Sequence, residues 1–338
     1  MSRHSVIQVA QENAGDLLES PFWNTLTNSL FYVDIDGKRI HQYELETETH
    51  SSWKTSQRVG FICPVSYSPQ VETVLGGMED GLYWIKLSSN NNSSNNTCVE
   101  QQIWSHGMDT NIVRFNDGKC DSSGRLFAGL MDYQWEKKPA MEAQGKFYSF
   151  QSSQRHRKDD TGKRVSTKRK SLGKITSRQI FSGICCSNGL TWLSDSQHLF
   201  YIDSGKYEIL CYPYDIHTGE IDKERERKVV GLDKKTSNEF FVFDGMCCDT
   251  QDKLWVALAG AGVVVQIDAA TGKELMRISV GCKYPTSVCF GGPHLDILFV
   301  TTARETTLSP GFKSQGGSLF MLQIPGARSC SSSFPFLV

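Results

Sequence analysis

One pattern returns along this chain and limits what it can fold into: a short apolar strand, β-branched or aromatic, set after a polar turn and followed by a second strand. It reads Ser29-Leu30-Phe31-Tyr32-Val33-Asp34, then Glu72-Thr73-Val74-Leu75-Gly76-Gly77, then Gly124-Arg125-Leu126-Phe127-Ala128-Gly129. It comes back as His198-Leu199-Phe200-Tyr201-Ile202-Asp203, Lys253-Leu254-Trp255-Val256-Ala257 and Asp296-Ile297-Leu298-Phe299-Val300. The central residues, 30, 74, 126, 199, 254 and 298, are spaced by 44, 52, 73, 55 and 44. The long interval holds an insertion, and without about 21 of its residues the period returns to about 50. Strand repeats of that length are blades of a propeller, and six anchors predict six blades. Asp36-Gly37-Lys38, Thr218-Gly219-Glu220 and Thr271-Gly272-Lys273 provide the residues that tight hairpins need. Long helix-periodic segments are missing, which argues against an α/β class. The expected fold is all-β: a six-bladed β-propeller over residues 18–324, after an N-terminal segment 1–17 and before a flexible C-terminal tail 325–338.

Two segments break the rhythm. Residues 88–97 are almost entirely Ser and Asn and lack the apolar surface that offsets ordering entropy, so a flexible loop tip is expected. Residues 151–178 carry ten Lys or Arg against Asp159 and Asp160. They read as a solvated, flexible hairpin extension, with nuclear import or polyanion binding as the sharper alternative. The closing strand of the ring is either Ser318-Leu319-Phe320-Met321-Leu322 or an N-terminal strand within Ser5 to Val9, and both can pair.

Composition excludes several classes. The net charge is −1, which argues against a general nucleic-acid binder. No apolar run reaches the ~18 residues of a spanning helix, and the first eleven residues lack a signal-type apolar core. The eleven cysteines are an odd number scattered through strand-like segments, with Cys185-Cys186 and Cys247-Cys248 adjacent. They read as reduced thiols packed as small apolar groups in a cytoplasmic protein. No CxxC pair is present to suggest structural zinc.

Three pieces far apart in the chain place an oxygen-bearing side chain beside Ser, Pro or Gly: Glu19-Ser20-Pro21, Ser187-Asn188-Gly189-Leu190 and Asp244-Gly245-Met246. A propeller channel can gather such pieces into one site. Two carboxylates and an amide suit a hard divalent cation and leave coordination positions open. Taken singly, each is equally a turn, Asn-Gly being a common hairpin dipeptide. Arg114 and Asn116, two apart in an extended segment, can face one way, though Arg114 reads equally as a surface ion-pair partner and Asn116 as part of a turn. Asp117-Gly118 reads as a turn, and Asp117 receives no catalytic role.

The order of these pieces resembles the senescence marker protein/gluconolactonase/luciferin-regenerating enzyme family, the regucalcin-like proteins, from about Leu18 to Leu322. Arg114-Phe115-Asn116-Asp117-Gly118-Lys119 is the strongest stretch, with Glu19-Ser20-Pro21-Phe22-Trp23, Tyr201-Ile202-Asp203-Ser204 and Phe290-Gly291-Gly292 in support. The resemblance implies a six-bladed propeller with a single divalent metal in its channel, held by Glu19, Asn188 and Asp244. It implies substrate contacts from Arg114 and Asn116, and from the position of Gln134, where vertebrate relatives carry glutamate; Asp132 is a candidate to replace the lost charge. The implied reaction is hydrolysis of a sugar lactone, the metal acting as Lewis acid and water activator and Asp244 as general base. Calcium or zinc is the expected ion, with manganese or magnesium compatible. The alternatives are a non-catalytic calcium-binding regulator and an insect luciferin-regenerating enzyme. The expected partner is a small sugar lactone, with no nucleic acid and no membrane, and the oligomeric state is open.

Overall fold

The structure is a computed structural model and describes residues 7–8, 15–66, 68, 71–88, 96–153, 174–233, 241–305, 315–329 and 334–338. The fold is all-β and propeller-like. Among the described residues the helical content is two single 3-10 turns, Ala140–Glu142 and Ser204–Lys206. No helix there is long and apolar enough to cross a membrane.

The strands form antiparallel meanders, each begun by a strand that lines a central channel. Leu18–Asn24 is followed outward by Ser29–Asp34, Arg39–Glu44 and Thr49–Lys54. Val59–Pro64 is followed by Thr73–Met78, Gly81–Ser88 and Asn96–Ser105. These two meanders share one eight-stranded sheet through a short parallel pairing of Trp53 with Asn96 and Lys54 with Thr97. The next sheets begin with Val113–Cys120, Ser187–Trp192, Val242–Cys248 and Pro285–Gly291. The six channel-lining strands touch one another in cyclic order, the last returning to the first. Each anchor residue lies in the strand beside a lining strand, and Leu30, Val74, Leu126, Leu199, Leu254 and Leu298 are all 0% exposed. The strict burial follows from packing on both faces: apolar clusters fill the wedges between neighbouring sheets. One such wedge brings Phe61, Leu75 and Trp84 against Phe115, Leu126 and Phe150.

The chain ends meet in the last sheet, ordered Ile7–Gln8, Phe320–Gln323, Ile297–Thr302, Pro285–Gly291. Both candidate closing strands therefore pair, Ile7 with Met321 and Gln8 with Phe320. This places part of the 1–17 segment inside the sheet.

Three expected flexible stretches need correction. Ser88 pairs with Thr97, so the ends of 88–97 belong to strands and residues 89–95 lie outside the described ones. Gly145–Ser153 pairs with Lys174–Ile184, so the ends of 151–178 are also strand; its Lys168-Arg169-Lys170 run lies outside the described residues. The tail 325–338 is not free at its end. Phe336 is 0% exposed, bridges Val65, and donates its N–H to the Pro64 carbonyl at 2.9 Å. The aromatic side chain has a wedge to fill beside Trp84, and burying it opposes the entropy that a Ser-rich tail would otherwise keep.

Candidate functional site

Every channel-lining strand carries one register irregularity. They fall between Glu19 and Phe22, Val59 and Phe61, Phe115 and Asp117, Ser187 and Leu190, Phe243 and Met246, and Pro285 and Ser287. A bulge bends a strand and re-aims its side chains. Glu19, Asn188 and Asp244 all sit at these breaks. Asn188-Gly189 and Asp244-Gly245 are therefore not hairpin turns. A Cβ on Gly189 would lie 2.5 Å from the Asp244 carbonyl oxygen, and one on Gly245 would lie 2.0 Å from Ser287 Oγ. Glycine follows Asn188 and Asp244 because the next lining strand occupies the space of a side chain.

Three acidic side chains converge in this part of the channel. Glu19 is 8% exposed, and its Oε2 accepts the Ser20 N–H at 2.8 Å. Burial, with Asp244 and Asp117 nearby, pushes its carboxyl well above the usual range. Burial and Asp117 do the same to Asp244, partly offset by hydrogen bonds from Asn188 and the Gly245 N–H. Asp117 is the residue that sequence reasoning set aside. It lies within Val113–Cys120, just past the bulge, and accepts the Gly118 N–H at 2.7 Å. Burial raises its carboxyl while Lys119 lowers it.

Asn188, 4% exposed, supplies the neutral donor. Its amide nitrogen donates to Ser204 Oγ at 3.0 Å and more weakly to Cys186 Sγ at 3.9 Å. Its Oδ1 is buried without a hydrogen-bond partner. A buried carbonyl oxygen left unmatched beside mutually repelling carboxylates is costly, and a divalent cation removes both costs. Among the described residues, no three His, Cys, Asp or Glu side chains form a metal group by themselves. The fit is to a mixed set of two carboxylates and one amide.

Beside it lies Arg114, 5% exposed, whose Nη1 donates to the Phe115 carbonyl and to Asn116 Oδ1, both at 2.8 Å. Burial lowers its pKa. Asn116 Nδ2 donates to the Ser187 carbonyl at 2.8 Å and to Cys186 Sγ at 3.6 Å. Arg114 and Asn116 are thus joined to each other and, through Ser187 and Cys186, to the strand that bears Asn188. Gln134 is not drawn into this group: it is exposed, and its backbone N–H donates to Asp132 Oδ1 at 2.9 Å. Tyr133 stands there instead, its ring 5.9 Å from the Arg114 guanidinium carbon. Nor does Asp132 replace a lost site charge. It is 0% exposed and engaged by the Gln134 and Gln144 N–H groups and by Lys138.

The family model described as SMP-30/Gluconolactonase/LRE-like region matches residues 17–304. Regucalcin of Homo sapiens is 31% identical over 323 residues, covering 92% of this chain and 91% of that protein. Among solved structures, a luciferin-regenerating enzyme has a TM-score of 0.78 at 24% identity, covering 98% of this chain and 99% of that one. A calcium-binding protein, regucalcin, from Agrobacterium tumefaciens has a TM-score of 0.77 at 19% identity, covering 100% of both. A gluconolactonase from Xanthomonas campestris has a TM-score of 0.64 at 15% identity, covering 95% and 90%. At these identities the structural likenesses speak to the fold.

Proposed function

The chain belongs to the SMP-30/gluconolactonase/LRE-like family, and on that premise we propose that it is a divalent-metal-dependent lactonase that opens sugar lactones in the cytoplasm. We read its propeller as six blades, counting the eight-stranded sheet as two; the cyclic contacts of the six lining strands support that count. The observation that carries the functional reading is the unmatched Oδ1 of Asn188 among buried, mutually repelling carboxylates.

Glu19, Asn188 and Asp244 would hold the ion, calcium or zinc first, with manganese or magnesium acceptable to the same oxygen donors. When bound, it supplies Lewis acidity at the lactone carbonyl and lowers the pKa of water. Asp244, partly buried at the channel wall, takes the proton from the attacking water. Arg114 presents a fixed fork of donors to the oxygens of the sugar, and Asn116 holds that fork in place through its Oδ1. Gln134, exposed beside Tyr133, is assigned a peripheral substrate contact.

The test is turnover of glucono-δ-lactone by metal-stripped protein with calcium, zinc, manganese or magnesium restored. Turnover should return with at least one ion and vanish in Asn188→Ala. Asp244→Asn should keep its ion yet lose about 10²–10⁴ in kcat. An unchanged kcat with metal bound would sink the base role. Metal binding without turnover of any lactone would favour the non-catalytic calcium-binding alternative.

A further inference from the structure

The pieces of the channel site meet at one side chain that the reaction itself does not need. Cys186, 6% exposed, is the acceptor shared by the Asn116 amide at 3.6 Å and the Asn188 amide at 3.9 Å. An amide can sit either way round, and its neighbours decide which end faces the channel. For Asn188, the nitrogen is taken by acceptors at Ser204 Oγ, Cys186 Sγ and the Asp244 carboxylate, so the oxygen is the end left unmatched. For Asn116, acceptors at Cys186 Sγ and the Ser187 carbonyl hold the nitrogen back, so the oxygen meets Arg114 Nη1.

The thiol is itself held firmly. The Cys186 N–H donates to Asp203 Oδ1 at 3.0 Å, and its carbonyl accepts the Ser204 N–H at 3.0 Å. A bridge to Met131 ties it to the neighbouring sheet. Ser204 Oγ in turn donates to the Phe243 carbonyl at 2.8 Å, one residue before Asp244. Asp203, Ser204 and Cys186 therefore link the strand bearing Asn188 to the strand bearing Asp244.

We infer that Cys186 is a positioning residue that orients both site amides, setting the Asn188 oxygen toward the ion and the Asn116 oxygen toward Arg114. The inference rests on the lactonase reading for its substrate arm only. Two amides on separate strands share this single acceptor, so removing it disturbs two functions at once. Removing Ser204 Oγ disturbs one, because Asn116 does not touch it.

The experiment measures Mn²⁺ binding by calorimetry, and KM for glucono-δ-lactone at saturating Mn²⁺, with melting curves to verify folding. Cys186→Ala should weaken Mn²⁺ binding about 10–100-fold, the usual cost of losing a group that orients a ligand, and should also raise KM. Cys186→Ser, which keeps an acceptor, should stay within about threefold of wild type in both. Ser204→Ala should weaken Mn²⁺ binding and leave KM unchanged. Cys185→Ala, the adjacent thiol, should alter neither. A folded Cys186→Ala protein with wild-type Mn²⁺ affinity and KM would overturn the assignment, as would Cys186→Ser failing as badly as Cys186→Ala. A wild type that binds Mn²⁺ but opens no lactone would sink the lactonase reading, and the Mn²⁺ isotherms would still decide the role of Cys186. A wild type that binds no divalent ion would overturn both.

Discussion

At the scale of single residues, burial decides which polar groups carry consequences. His41 is a case outside the channel. It is 2% exposed, stacks on Tyr32 with ring centroids 4.9 Å apart, and its Nδ1 lies 2.9 Å from His50 Nε2. Burial, then the neighbouring His50 and Arg39, lower its pKa to about 3. A histidine depressed in the folded state favours folding fully above its unfolded pKa of about 6.5, and that stability is lost as pH falls toward the folded value. Urea unfolding should therefore show a loss of about 2 kcal/mol between pH 7 and pH 5 from this group alone. His41→Gln should flatten that slope. Lowering the pH without changing the wild-type midpoint would refute the assignment. In the candidate site, the sequence offered the residues to consider but not their partners. Glu19, Asn188 and Asp244 could be picked out because two acids and an amide are recognisable donors. Asp117 was misread because Asp-Gly signals a turn, and only a bulge between Phe115 and Asp117 explains its presence in a lining strand. Tyr133 and Cys186 carry no sequence signal for their contacts, which come from residues distant in the chain or from the way a loop closes.

At the scale of elements, the chain repeats one construction: a bulged lining strand, a second strand buried at all but one residue or throughout, and outer strands of mixed polarity. The second strands were legible because both of their faces are packed, giving unbroken apolar runs. The lining strands were harder to read, since Gly, Asn and Asp there resemble loop residues. Gly189→Ala tests that reading. Its new methyl group meets the backbone of the Asp244 strand, so the expectation is a loss of about 1–3 kcal/mol in chemical unfolding and weakened metal binding through displaced Asp244. A stable variant with normal metal affinity would show that the strands can separate freely. The corners of the sheets hold a second recurring device. Asp249, 2% exposed, accepts the Gln251 and Lys253 N–H groups at 2.9 and 3.0 Å and the Trp255 indole N–H at 2.9 Å. Asp121 makes the matching bonds to the Ser123 and Arg125 N–H groups at 3.0 and 2.8 Å. Asp249→Ala leaves four buried or part-buried donors without this acceptor, the Gln266 amide at 3.3 Å being the fourth, and should cost about 2–4 kcal/mol by thermal or chemical unfolding. A loss below about 0.5 kcal/mol would mean that the corner is held by other contacts.

At the scale of the whole molecule, closure is made twice. The last sheet joins the two ends of the chain through the pairing of Ile7–Gln8 with Phe320–Gln323. The final residues then return to the other side of the ring, where Phe336 enters the wedge next to Trp84 and Leu337 donates its N–H to the Gly124 carbonyl at 3.1 Å. Phe336→Ala should cost about 3–5 kcal/mol, measured by chemical unfolding, with the metal site intact at low temperature. A loss under about 1 kcal/mol would show that the tail adds little to the fold. The repeat made the propeller legible, but the docking of the tail was hidden, because a Ser-rich approach to a lone Phe gives no periodic signal. Phe334 sits with Pro21, Lys119, Cys120 and Met246 at the end of the channel toward which the lining strands run, while Arg114 and Tyr133 stand at the end from which they begin. With one fastening at Ile7–Gln8 and another at Phe336, unravelling from either end has to break a sheet pairing or empty an apolar wedge before it reaches the lining strands.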